Sequence, residues 1–148
     1  MPKRARIDVE QARATIRAAG LRSTGPRLAV LQRLEAARTP LSHAELVADL
    51  ASSGFDRATI YRNLIDLTQA GLVTRTDVGD HVWRFERKRT TASRDEAEHP
   101  HFMCTDCGTV ACLPGVRVRI KAAGSGRRPS VLSRAVSIQL KGTCDRCA

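Results

Sequence analysis

Asp56-Arg-Ala-Thr-Ile-Tyr-Arg-Asn-Leu-Ile-Asp-Leu-Thr-Gln-Ala-Gly-Leu-Val-Thr-Arg-Thr76 is the stretch on which the fold of this chain turns. It opens on Asp56, whose carboxylate suits the free amides of a helix N-terminus. Ile60, Leu64 and Leu67 then fall at i, i+4 and i+7 of one face, and Ala70-Gly71 supplies a stop. Residues 72–76 and 81–85 have strand composition and flank Asp77-Val-Gly-Asp80, a turn-forming tetrad, so a hairpin follows the helix directly.

Upstream, the pattern predicts three further helices. Val9, Ala12, Ile16 and Ala19 recur at helical spacing and stop at Gly20. Pro26 suits a first helical turn, and Leu28, Leu31 and Leu34 follow on one face before Thr39-Pro40. Ser42-His-Ala-Glu45 reads as a capping box ahead of Leu46, Val47 and Leu50, with Gly54 as the end of that helix. Helices leading into a hairpin make a winged helix-turn-helix, whose last helix enters the major groove of DNA. The same order also fits a small helical domain of another kind.

Downstream, residues 87–97 are polar and aperiodic and read as a linker. The chain is therefore expected to comprise a winged-helix domain over 1–86 and a second domain over 98–148. In the latter, strand-like runs at 102–104, 109–113 and 131–140 surround an expected short helix at 116–123, a small α+β unit. The fold class expected for the whole is α+β.

Bulk properties narrow the function. Neither half of a 148-residue chain buries a large apolar core, so something besides packing should help hold it together. A formal net charge of +10 favours an anionic partner, nucleic acid or a membrane surface. No stretch reaches the length of a membrane span and the basic start lacks an apolar run, so a cytoplasmic protein with no membrane partner is expected. All five cysteines lie in the last third, four of them as two Cys-x-x-Cys pairs, which without an export signal favours metal or redox chemistry over structural disulfides.

The fourth helix carries Arg57, Thr59, Tyr61, Arg62 and Asn63 off its apolar face. Guanidinium, hydroxyl, phenol and amide groups so placed suit base edges, a thymine methyl and phosphates. They suit an ordinary solvated helix face as well. Arg22, Arg27 and the cluster Lys3, Arg4 and Arg6 are candidates for phosphate contacts, and the cluster equally fits an idle tail.

Cys104-Thr-Asp-Cys107 and Cys144-Asp-Arg-Cys147 can each close a knuckle on one metal, together supplying four thiolates for a structural Zn2+. Their separation exceeds an ordinary zinc-ribbon spacing, so such a site ties the chain's last segment back onto the middle of a domain. A dithiol redox pair and plain buried cysteines are the competing readings.

Gly20-Leu-Arg-Ser-Thr-Gly-Pro-Arg27, Ala58-Thr-Ile-Tyr-Arg-Asn-Leu64, Ala70-Gly-Leu-Val-Thr-Arg75 and His99-Pro-His-Phe-Met-Cys-Thr-Asp-Cys-Gly108, closed by the second Cys-x-x-Cys, resemble in order the signature stretches of the ferric uptake regulator (Fur) superfamily. The resemblance covers about residues 12–148. It implies an N-terminal winged helix on an inverted-repeat operator in double-stranded DNA and a C-terminal α/β domain that forms a homodimer. Tyr61 and Arg62 match its DNA-contacting positions, and Cys104, Cys107, Cys144 and Cys147 its structural zinc ligands.

The resemblance also implies a second, regulatory divalent metal, Zn2+ or Fe2+. Glu86, His99 and His101 match three of its ligands, and an ion on all three would span the linker. The usual first histidine falls near Pro40, leaving His43 as the replacement, and Cys112 stands where peroxide-sensing relatives carry an acid. A further metal site of some relatives is missing its donors, since Glu98, Pro100 and Thr143 occupy their places. The segment 114–130 is shorter and richer in Gly and Arg than the family's acidic helix.

His99 and His101, at i and i+2, share one side of a strand, as surface histidines on an edge strand also do. Cys112 fits a ligand or a buried strand residue. A soft sulfur donor leans the sensed metal towards zinc, with iron or peroxide sensing as the alternative. An enzyme is not expected, because a closed four-sulfur site has no open metal position and the deaminase His-x-Glu is missing. A zinc thiol-switch adaptor without DNA specificity is the rival of another class.

Overall fold

The computed structural model describes residues 8–88, 100–120 and 138–148, and the chain divides into two compact units, Met1–Thr91 and Ala92–Ala148.

The first unit holds helices α1 (Val9–Ala18), α2 (Gly25–Ala36), α3 (His43–Asp49) and α4 (Arg57–Gln69), with strands β1 (Leu41–Ser42), β2 (Val73–Asp77) and β3 (Trp83–Arg87). Local chemistry sets most of these boundaries. Ser42 and Glu45 form the reciprocal capping box at α3, the Ser42 hydroxyl accepting from Glu45 N and the Glu45 carboxylate from Ser42 N at 2.7 Å. At the end of α4 the Gly71 N–H donates to Thr68 and the Leu72 N–H to Leu67, both at 3.0 Å. That double closure needs a left-handed residue, and Gly71 provides it at φ +74°.

The apolar faces read from periodicity meet in one core. Ile16, Leu31, Leu34, Leu46, Ile60, Leu64 and Leu67 are fully buried there with Val73 and Phe85 of the hairpin. Two features depart from the sequence reading. Helix α3 stops at Asp49, and a 3-10 turn over Ala51–Ser53 carries the chain to Gly54. Strand β1, two residues long and unforeseen, adds to the hairpin in the order β1-β3-β2, with Leu41 opposite Phe85 and Ser42 opposite Arg84.

Arg27, a candidate phosphate contact from the sequence, is structural instead: its guanidinium is half-buried, pairs with Asp66 and donates to the Arg22 carbonyl at 2.6 Å, tying α2 to α4. Arg87 similarly reaches Glu35 at 3.3 Å.

The second unit holds β4 (His101–Cys104), β5 (Val110–Cys112) and β6 (Gln139–Gly142) in the order β5-β4-β6. Strand β5 is antiparallel to β4, whereas β6 is parallel to it. The short helix expected over 116–123 is not found in its described part, 116–120, and its remainder lies outside the described residues. Val116, Val118 and Ile120 alternate with Arg117 and Arg119, a period of two that suits extended chain and not a helix. Of the run expected over 131–140, residues 131–137 also lie outside the described residues.

Replacing Ser42 by Ala removes the acceptor for Glu45 N. A loss of about 1 kcal/mol, read from chemical denaturation with an unchanged m-value, is expected.

Candidate metal centre and nucleic-acid interface

Strands that run parallel leave a sheet at the same edge. Cys104 ends β4 opposite Gly142 of β6, so the two Cys-x-x-Cys turns emerge side by side. The Thr105 N–H donates to the Gly142 carbonyl at 2.8 Å, and the Cys144 N–H points at Cys104 Sγ at 3.4 Å. The first knuckle closes through Gly108 N onto the Cys104 carbonyl and the second through Cys147 N onto the Cys144 carbonyl.

The sulfurs of Cys104, Cys107, Cys144 and Cys147 lie within 4.8 Å of one another, with Cys107 and Cys144 3.7 Å apart. A tetrahedral zinc site with bonds of about 2.3 Å has sulfur–sulfur edges of about 3.8 Å, so the donor set fits such an ion.

The protonation pattern points the same way. The Thr109 hydroxyl, 3.2 Å away, and its backbone N–H bring the Cys107 thiol down to about 6. Backbone donors, Cys107 N–H first, also lower Cys104. Cys147 is pushed up to about 12 by its sulfur neighbours, Cys144 foremost. Cys104 and Cys107 are thus inclined to ionise while Cys147 beside them resists further negative charge, a conflict that a bound dication removes. Thr109 is itself held by Arg146, whose guanidinium donates to the hydroxyl at 2.9 Å.

In the same sheet His101 and Cys112 stand directly opposite each other on β4 and β5, so their side chains share a face. Glu86 lies on β3 of the first unit, and His99 lies outside the described residues. His43 is engaged elsewhere: its Nε2 meets the Arg57 carbonyl at 2.9 Å, and its ring abuts that of Tyr61 edge-on at 5.4 Å.

The start of α4 is capped and presents a row of exposed side chains. Asp56 caps it, accepting from Thr59 N at 2.6 Å, and hydrogen bonds from Thr59 hold its carboxyl below the usual range. Arg57, Ala58, Tyr61 and Arg62 are exposed along one side, Tyr61 at 47%. Asn63 departs from the sequence reading: at 7% exposed it turns inward and donates to the Thr59 carbonyl at 2.8 Å. Its position between Ile60 and Leu64, on the edge of the apolar stripe, is the signal that would have placed it there. Thr59 is half-buried, and Arg22 is exposed ahead of α2. Lys3, Arg4 and Arg6 lie outside the described residues. None of the described helices is long and apolar enough to cross a membrane.

The family model described as "Ferric uptake regulator family" matches residues 18–118. A ferric uptake regulation protein of Legionella pneumophila is 32% identical over 133 residues, covering 87% of this chain and 93% of that protein. Among solved structures, the ferric uptake regulator of Vibrio cholerae superposes with a TM-score of 0.63 at 26% identity, over 89% of this chain and 98% of that one. The ferric uptake regulator of Helicobacter pylori, which has three functional metal-binding sites, superposes with a TM-score of 0.66 over 99% of this chain and 97% of its own, at 16% identity. With the winged helix, the clustered cysteines and the family model over most of its length, the chain belongs to the ferric uptake regulator family of metal-responsive transcription regulators.

Proposed function

We propose that this protein is a metal-dependent, sequence-specific DNA-binding regulator, acting as a repressor and as a homodimer on an inverted-repeat operator. The observation that carries the reading is the exposed side of α4, where Arg57, Tyr61 and Arg62 stand on a capped helix backed by a wing. Two copies of that helix must sit about 34 Å apart to reach successive half-sites, which requires a dimer. The four-cysteine centre would hold a structural zinc, since soft thiolates in a closed tetrahedral set select it.

Sensing is assigned to a second divalent ion. His101 and Cys112 on facing strands would supply two donors, with Glu86 and His99 as the further ligands implied by the family resemblance. The thiolate favours zinc over iron as the sensed metal. His43, already bonded to Arg57, is left out of this ligand set.

Titration of operator and random duplexes onto the protein, with and without added metal, tests the reading. Tyr61→Ala is expected to cost on the order of 1 to 3 kcal/mol of operator binding while sparing the salt-dependent binding of random DNA, because only a base-reading contact is lost. Unchanged discrimination in both Tyr61→Ala and Arg62→Ala would place the reading surface elsewhere. Failure of the wild-type protein to prefer any promoter DNA under any metal would favour the thiol-switch adaptor.

A further inference from the structure

The chain has five aromatic residues of the Phe, Tyr and Trp types, and the two most exposed are Tyr61 on α4 and Trp83, the sole tryptophan, on β3 of the wing. Trp83 is 48% exposed, and the Arg75 guanidinium of β2 lies over its ring, 4.5 Å from the centroid. Such a stack holds an otherwise floppy cation in one plane.

The other wing arginines are committed to carboxylates. Arg84 reaches Asp80 at 2.8 Å, and Arg87 reaches Glu35. Among the described residues no carboxylate or carbonyl accepts from the Arg75 side chain, so its donors face outward while its plane is set by the indole.

The sheet register shows where this stack lies. Leu41 pairs with Phe85 and Ser42 with Arg84, the neighbour of Trp83 on β3, and Ser42 leads directly into His43, the first residue of α3. His43 in turn touches Arg57 and Tyr61 in the first turns of α4. The Trp83 end of the wing therefore lies towards the reading end of α4, within one compact unit.

We infer that the Arg75–Trp83 stack is a second nucleic-acid contact, a wing platform for the sugar-phosphate backbone of duplex DNA beside the groove that α4 enters. A planar guanidinium with free donors matches a phosphate bidentately, and the indole adds apolar cover against the deoxyribose. A backbone contact strengthens binding to every sequence and carries no sequence preference. This inference rests on the DNA-binding reading above.

The test uses the full chain in its metal-loaded form, with an operator duplex and a random duplex of equal length. Because Trp83 is the only tryptophan, intrinsic fluorescence reports on the platform directly, and its emission should change when either duplex is added. Arg75→Gln should weaken both duplexes by the same factor and flatten the slope of log K against log salt by about 0.9 per protomer. Trp83→Leu should also weaken both duplexes by a common factor, and a thermal melt matching wild type shows that neither variant is misfolded. Operator binding with unaltered Trp83 emission and an unchanged Arg75→Gln slope overturns this inference alone. Failure of the wild type to bind either duplex overturns the DNA-binding reading and this inference together.

Discussion

Cys147→Ser and Cys104→Ser should each yield a protein that lacks its tightly held metal, loses the fold of the second unit and no longer dimerises. Among the described residues of that unit only Cys104 and Val110 are buried, against a continuous core of helix and hairpin side chains in the first. A unit this small gains more from a staple than from its packing. A structural zinc supplies about 10–16 kcal/mol, comparable to or larger than the whole stability of an ordinary domain.

Removing one sulfur also leaves three thiolates without their full compensation. The loss should therefore exceed that of any single core truncation in the first unit. Metal content per chain, circular dichroism and sedimentation equilibrium measure the three effects. A variant that keeps one zinc per chain and remains a dimer of native stability would show that the four cysteines do not hold the structural ion. The first unit, with its own core, should retain its helices in the same variants.

The second large effect is regulatory. His99→Ala combined with His101→Ala should abolish the stimulation of operator binding by added metal while leaving the four-cysteine metal and the dimer intact. Metal can shift the protein towards a DNA-competent arrangement only by binding that arrangement better than its alternative. Coupling of this kind is typically about 1–3 kcal/mol, or about 5- to 150-fold in affinity, and all of it should vanish when the imidazoles are removed. Because His101 stands opposite Cys112, Cys112→Ser offers an independent check: replacing sulfur by oxygen should weaken the response to zinc more than the response to iron. A double-histidine variant whose operator affinity still rises normally with metal would place sensing elsewhere.

These two experiments differ in how much of their basis was legible along the chain. The helices were, because their signals are local: a capping box, a left-handed glycine and apolar side chains at helical spacing all act within a few residues. The exposed side of α4 followed from the same periodicity, except at Asn63, where one residue on the border of the stripe turned inward. The Cys-x-x-Cys pairs were equally plain as half-sites.

Contacts between distant residues were not legible in this way. Strand β1 is two residues long and exists because β3 offers it a partner more than forty residues later. Arg27 became a tie to Asp66, and His43 a brace on Arg57 and Tyr61, through the packing of helices against one another. The four sulfurs meet because β6 runs parallel to β4, which brings both knuckles to one edge of the sheet; an antiparallel pairing would have set them at opposite ends. Residue spacing fixes which groups can act together within a turn of helix or a knuckle. Strand direction and register, which depend on the whole sheet's hydrogen bonding and burial, decided which of those groups meet.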